Sequence, residues 1–235
     1  MASEKGIYLD HNATTPIRPE VVEAMRQVWF RVFGNPASQH QFGREARRLL
    51  EDTREKMAAL LGAQITGLEP DRLIFTSSAT EANNLAIGGI GSARTGGQPG
   101  SLITSSLEHP SVLGPAEHLL DLGWRVDTLS STPEGIVRLD QLQEWISPQT
   151  ALVSITAANH EIGTVQPIAE AARICQAYGV PLHTDAVQLV GKGPVQFRQL
   201  GVSAMTVSAH KFHGPVGIGA LVIRHGTPIQ PVLFG

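Results

Sequence analysis

Ala151-Leu-Val-Ser-Ile-Thr-Ala157, Ile168-Ala-Glu-Ala-Ala-Arg-Ile-Cys-Gln-Ala-Tyr178 and Pro181-Leu-His-Thr-Asp185 follow one another between positions 151 and 185. The first is the most apolar run of the chain, short enough for a strand buried on both faces. In the second, Ile168, Ala171, Ala172, Cys175 and Tyr178 keep the i, i+3, i+4, i+7 spacing of a half-buried helix. The third is again strand-like and ends on an acid. Strand, helix and strand in this order form a βαβ unit, the building block of a parallel sheet.

The same alternation extends outward. Leu73 to Ser77, Ser101 to Ser105, Trp124 to Leu129, Ala204 to Ser208 and Gly219 to Ile223 read as further strands, and Ala82 to Ile87, Ser111 to Leu122 and Leu139 to Ile146 as helices. The expected fold is α/β: a doubly wound, mostly parallel, seven-stranded sheet with helices on both faces. The first seventy residues differ. Pro19 to Phe33 and Gly43 to Leu61 read as two helices joined by Gly34-Asn35-Pro36, expected to pack on the sheet within one domain spanning 1–235. Thr95 to Gly100 reads as a surface loop rather than a linker.

Composition narrows the function. With 18 Lys and Arg against 21 Asp and Glu there is no basic excess, so nucleic acid is not an expected partner. The stretch Met1 to Gly6 has no basic region followed by an apolar run, and no later stretch nears the roughly 18 apolar residues of a membrane span. A cytoplasmic protein is the expectation. The single cysteine, Cys175, excludes an intramolecular disulfide and a zinc site built on several thiolates; no metal site is expected. Its place in the helical stripe marks it as a packing residue rather than a reactive thiol.

Five polar clusters follow strands. In Ser208-Ala-His-Lys-Phe-His-Gly-Pro215, Lys211 falls at a strand's C-terminal end, where open α/β sheets place ligands. Asp185 ends a strand that should be buried and therefore needs a partner, with Gln188 three residues on. The ring nitrogen of pyridoxal 5'-phosphate (PLP) is such a partner, since a carboxylate beside it keeps the pyridinium protonated. A helix cap is the plainer alternative for Asp185. Thr76 to Asn84 turns from strand to helix through small hydroxylated residues, with Ser78 and Glu81 spaced as a capping box; such a turn can hold a phosphate. His109 follows the fourth cluster's strand, and Asn159 and His160 the fifth's, where they could reach a ring or a substrate. On one edge of one sheet the five converge on a single crevice, and PLP accounts for all of them.

These residues carry a resemblance. Tyr8-Leu-Asp-His-Asn-Ala-Thr-Thr-Pro16, Gly34 to Ser38, Thr76 to Leu85, Glu108-His109, Asn159 to Gly163, His183 to Gln188 and Ser208 to Lys211, in that order, resemble the class V aminotransferase superfamily of PLP enzymes, and most of all its cysteine desulfurases. The resemblance covers the whole chain. It implies that Lys211 forms the Schiff base and shuttles protons, that Asp185 pairs with the pyridine nitrogen and that His109 stacks on the ring. Ala79, Thr80, Ser208 and His210 would hold the phosphate, with Gln188 on the phenolic oxygen.

The activity implied is conversion of L-cysteine to L-alanine with sulfur left on the enzyme for iron-sulfur cluster or related cofactor synthesis, by a homodimer that passes sulfur to an acceptor protein. Two departures stand out. His160 occupies a position that is commonly Asn in the family, which bears on substrate preference. Family members also continue past Pro231-Val-Leu-Phe-Gly235 into a small C-terminal domain holding the nucleophilic cysteine and a substrate-binding arginine. The 235 residues alone are therefore expected to bind PLP, to transfer little sulfur and to expose apolar surface around Ile229 to Phe234. Two rivals remain: another class V enzyme, such as a selenocysteine lyase or an aminotransferase, and a non-catalytic truncated PLP-binding fragment.

Overall fold

Seven strands form one sheet in a computed structural model that describes residues 6–234; residues 1–5 and Gly235, the ends of the expected 1–235 domain, lie outside the described residues. The strands are β1 (Arg72–Thr76), β2 (Ser101–Ser105), β3 (Arg125–Leu129), β4 (Thr150–Ser154), β5 (Leu182–Asp185), β6 (Ala204–Ser208) and β7 (Gly219–Ile223), in the order β1-β7-β6-β5-β4-β2-β3. Only β7 runs against its neighbours, pairing antiparallel with both β1 and β6. The expected mostly parallel sheet is thus present. β4 is shorter than the apolar run, although Ile155 N and Ala157 N still donate to His183 O and Asp185 O.

Helices α1 (Pro19–Arg31) and α2 (Gln41–Leu60) precede the sheet. Then come α3 (Ala79–Asn84), α4 (Gly91–Thr95), α5 (Pro110–Asp121), α6 (Leu139–Trp145) and α7 (Ile168–Ala177). Side-chain alternation along each strand divides the core. Ile103, Val153, Met205, Val207 and Val222 face α6 and α7, while Leu102, Leu152, Ala204 and Leu221 face α3 and α5. Helices therefore cover both faces.

The helix expected from Ala82 to Ile87 is longer at both ends. It begins at Ala79 because Ser78 caps it, and it widens into a π-helical turn over Leu85–Ile90 before α4. Gly88 and Gly89 fall in that turn. A Cβ on Gly89 would stand 2.5 Å from Gln230 O, and Gln230 N donates to Gly89 O, so the glycine lets residues 229–233 pass against the helix.

The α3 face of the sheet changes character along its strands. Its N-terminal half carries Leu102, Leu152 and Ala204; its C-terminal half carries Thr104, Ser154, His183, Asp185, Thr206 and Ser208, all buried. Buried polar groups need internal partners. His183 finds them on both sides, its Nδ1 2.9 Å from Ser154 Oγ on β4 and its Nε2 3.0 Å from Thr206 Oγ1 on β6. This polar row ends at the sheet edge that carries the site.

Candidate active site

The C-terminal ends of β1, β2, β4, β5 and β6 surround one cavity of about 440 Å³. Its walls include Ala79, Thr80, His109, His160, Asp185, Gln188, Ser208, His210 and Lys211. Parallel strands place all these ends on one edge, so residues far apart in sequence converge there. Asn159 is the exception among the expected site residues. Its Oδ1 accepts from Glu161 N (2.9 Å) and Ile162 N (3.0 Å), so it shapes the loop that presents His160 and lies outside the cavity wall.

Asp185 closes β5 at the bottom of the cavity. Its Oδ1 accepts from Val187 N (3.0 Å) and its Oδ2 from Asn83 Nδ2 (2.8 Å), both neutral donors. No ion pair to Asp185 occurs among the described residues, and burial raises its carboxyl above the usual range. Lys211 follows β6 on a single 3₁₀ turn, Ala209–Lys211. Its ammonium donates to Asn12 O (2.6 Å) and Ala13 O (2.8 Å), and burial lowers its pKa, with the Lys192 charge adding to the effect. Burial similarly lowers the His109 imidazole, whose Nδ1 accepts from Ser111 N (3.1 Å). The ring is then neutral with its proton on Nε2.

At the opposite end, the β1-to-α3 turn brings the first amides of α3 to the cavity beside Ser208 and His210. Gly219 of β7 makes the approach possible, since a Cβ there would lie 2.6 Å from Ser78 C and 2.8 Å from Ala79 N. The expected capping box is shifted by one residue. Ser78 Oγ accepts from Glu81 N (3.2 Å), but Glu81 reaches back to Ser77, through N (2.7 Å) and Oγ (2.6 Å), rather than to Ser78 N. Glu81 thereby fixes the turn just before the helix.

Several site residues escape a reading of strand ends. Asn83 Nδ2 donates to Asp185 and to Ser111 Oγ (2.8 Å), and Ser111 Oγ lies 2.8 Å from His109 Nδ1, so one buried chain of hydrogen bonds joins His109 to Asp185. The signal was present: Asn83, Ala86, Ile87 and Ile90 form an i, i+3, i+4, i+7 stripe, and its first member is polar. Glu108 is fully buried beside this chain. Its Oε1 accepts from Ser105 Oγ (2.6 Å) and Thr156 N (2.7 Å), and burial pushes it up to about 8. The N-terminal strap over Asp10–Pro16 also belongs to the site, through Asn12.

A lysine and a buried, cation-free carboxylate in one cavity, with an imidazole and the first amides of a helix in the same wall, define a PLP-type pocket on an open α/β sheet. The sequence model of the aminotransferase class-V family matches residues 7–235. The chain belongs to that family. It is 47% identical to a cysteine desulfurase IscS of Dictyoglomus turgidum over 99% of its own length and 57% of that protein's. To an IscS-like cysteine desulfurase of Mycobacterium tuberculosis it is 42% identical, over 97% and 58%. Among solved structures, a NifS-like protein superposes with a TM-score of 0.90 at 37% identity, covering 98% of this chain and 62% of that one. SspA in complex with cysteine superposes at 0.89 and 34% identity, covering 98% and 65%. The chain thus spans under two thirds of the length of these relatives.

Class V aminotransferases and cysteine desulfurases are PLP-dependent, and the donor set fits that group. Asp185 lacks a cationic partner and a pyridinium N–H would supply one. Cys175 stands apart. It is buried in the core on the α7 side of the sheet, where burial pushes its thiol up to about 12. No helix among the described residues is long and apolar enough to cross a membrane.

Proposed function

We propose that this chain is the PLP-binding portion of a cysteine desulfurase acting on L-cysteine. The observation that carries the reading is Asp185: fully buried, bonded only to neutral donors, across a cavity from a lysine whose ammonium is itself disfavoured by burial. PLP, when bound, supplies the electron sink for cleaving bonds at the substrate α-carbon. The chain's own residues do the rest. Lys211 holds the cofactor covalently and carries a proton to and from the substrate, and a lowered pKa favours its neutral form for both tasks. Asp185 keeps the pyridine nitrogen protonated, with Asn83 holding the carboxylate in place. His109, in the cavity wall, would stack on the ring as a neutral imidazole. Amides and side chains at Ala79, Thr80, Ser208 and His210 receive the phosphate. Gln188 would serve the phenolic oxygen and His160 the substrate.

A thiolate must accept the sulfur, and Cys175 cannot supply it, being buried and protonated. We therefore place the accepting cysteine outside these residues and expect little sulfur transfer from the 235-residue chain alone. A homodimer, a sulfur-acceptor protein and a cytoplasmic location complete the reading. The printed names of the desulfurase relatives and of the cysteine-bound structure support the substrate.

Adding PLP to the purified chain tests the cofactor assignment. A visible absorbance band should form, borohydride should fix it to Lys211, and Lys211→Ala should abolish it while the far-UV circular dichroism is unchanged. A band that persists in Lys211→Ala sinks the assignment.

A further inference from the structure

Lys192 lies outside the cavity wall, yet it bonds two residues that meet the site. Its ammonium donates to Gln188 Oε1 (2.6 Å) and to Asn12 Oδ1 (2.8 Å). A lysine can only donate, so both amides have their oxygen end fixed on Lys192 and their nitrogen end turned the other way. Gln188 Nε2 then donates to Asn12 O (2.9 Å), and Asn12 Nδ2 to His160 O (3.1 Å). Asn12 is the point where the strap meets Gln188, Lys211, Lys192 and the His160 loop.

The strap is anchored unevenly. Its C-terminal half is bonded to the loop after β6, through Thr15 N and Oγ1 to His210 O (2.8 Å each), Thr15 Oγ1 from His213 N (2.7 Å) and Arg18 N to His213 O (3.1 Å). The other half, around Asn12, is tied down by side chains, chiefly the two lysines. Lys211 contributes two bonds in its ammonium form. When its amine condenses with an aldehyde, water is released, a C=N bond forms and the nitrogen keeps at most one hydrogen. At least one of its two bonds to the strap is then lost.

We propose that Lys192 is the positioning residue that keeps the strap and the Gln188 amide in register once Lys211 is committed to the cofactor. It touches neither cofactor nor reacting atoms and acts through Asn12 and Gln188. The inference rests on the PLP reading above, which is where Lys211 becomes committed.

Hydrogen exchange at the strap amides of Ala13, Thr14 and Thr15 tests it in four states: parent and Lys192→Met, each without and with PLP. Without PLP, Lys211 still holds Asn12, so exchange in Lys192→Met should rise only about twofold. With PLP both anchors are weakened, and exchange in the variant should rise about tenfold over the loaded parent, the loss of one charge-assisted bond. Lys192→Arg, which keeps a donor-only cation, should recover most of the protection. Equal strap exchange in loaded parent and loaded Lys192→Met overturns the proposal. So does a uniform rise across the sheet amides, which would mark Lys192 as merely structural. Failure of the PLP reading shows separately, as absence of a borohydride-fixed mass on Lys211 in the parent; the cofactor-free arm then still decides whether Lys192 holds the strap.

Discussion

The sheet body and helix α1 both carry large apolar side chains, and these end in opposite surroundings. Every residue of β4 is buried, with Leu152 and Val153 fully so. Helix α1 carries Val22, Val28, Trp29 and Phe30 and buries none of its residues. Trp29 and Phe30 are 69% and 77% exposed, next to Phe33 at 74%. A helix with this apolar face toward solvent gains its stability elsewhere or from a surface that covers it. The strap Asp10–Pro16, which precedes α1, nevertheless reaches the site through polar contacts. Composition as well as packing separates the regions, since α1 also carries Glu20, Glu23, Arg26 and Arg31 whereas β4 has no charged residue.

Substitution of apolar residues in the two regions should therefore have unequal effects. Leu152→Ala removes a fully buried side chain between β4 and the helices on the α3 face. It should lower the unfolding free energy in urea by about 2–5 kcal/mol. Trp29→Ser with Phe30→Ser should change it by about 0.5 kcal/mol or less while reducing self-association in sedimentation velocity. Equal destabilisation by both would mean that α1 is packed in solution. Leu233 and Phe234 are 70% and 88% exposed, as expected near the last residues, while Ile229 packs against the core; the exposed α1 face is a further apolar surface that the sequence pattern does not single out.

Buried polar groups make a sharper contrast, because His183 in the sheet's polar row and Glu108 in the loop after β2 oppose each other in pH. Burial pushes His183 from 6.5 down to about 3. The unfolded chain takes up a proton below about pH 6.5 and the native chain does not, so this stabilisation is intact above 6.5 and is lost as pH falls toward 3. Glu108 behaves in reverse. Burial pushes it from 4.5 up to about 8, so its contribution is intact below 4.5 and is lost as pH rises through 8. Glu108→Gln can keep the bonds from Ser105 and Thr156 without the titration. Relative to the parent it should gain stability between pH 5 and 8, by an amount on the order of a few kcal/mol at the upper end. Urea midpoints at pH 5 and 8 that move in parallel for both proteins would show that Glu108 is hydrated.

Much of this was legible from local pattern. Strand and helix periods marked all seven strands within a few residues, and residues following β1, β2, β4, β5 and β6 pointed to one edge before any coordinates. The gaps have physical causes. The π-helical turn over Leu85–Ile90 packs against residues 229–233, with Gln230 N donating to Gly89 O, a contact across the chain that no window of sequence contains. Asn159 reads with the cavity residues in sequence, but an Asx turn with Glu161 and Ile162 engages its Oδ1, a contact that the strand-end pattern does not reveal. Asn12, Asn83 and Lys192 act through other side chains, and such roles depend on tertiary placement.

The smallest expected effect concerns Cys175, which ties the sheet body's packing to the question of sulfur. It lies on α7 with 1% exposure, among Ile168, Ala171 and Ala172, and burial pushes its thiol up to about 12. At neutral pH it is a thiol without access to solvent, so it neither attacks sulfur nor meets an alkylating reagent unless the core opens. Iodoacetamide should label the native chain at a rate set by that opening, and the logarithm of that rate should rise in Leu152→Ala in step with its lost stability. Cys175→Ser places a hydroxyl in the same apolar site and should lower stability by about 1–2 kcal/mol, with PLP binding unchanged. Rapid labelling of the folded parent, or a persulfide found on Cys175 by mass spectrometry after exposure to L-cysteine and PLP, would show that α7 opens locally. The sheet body would then lose its uniform packing, and the accepting thiol its assignment outside these residues.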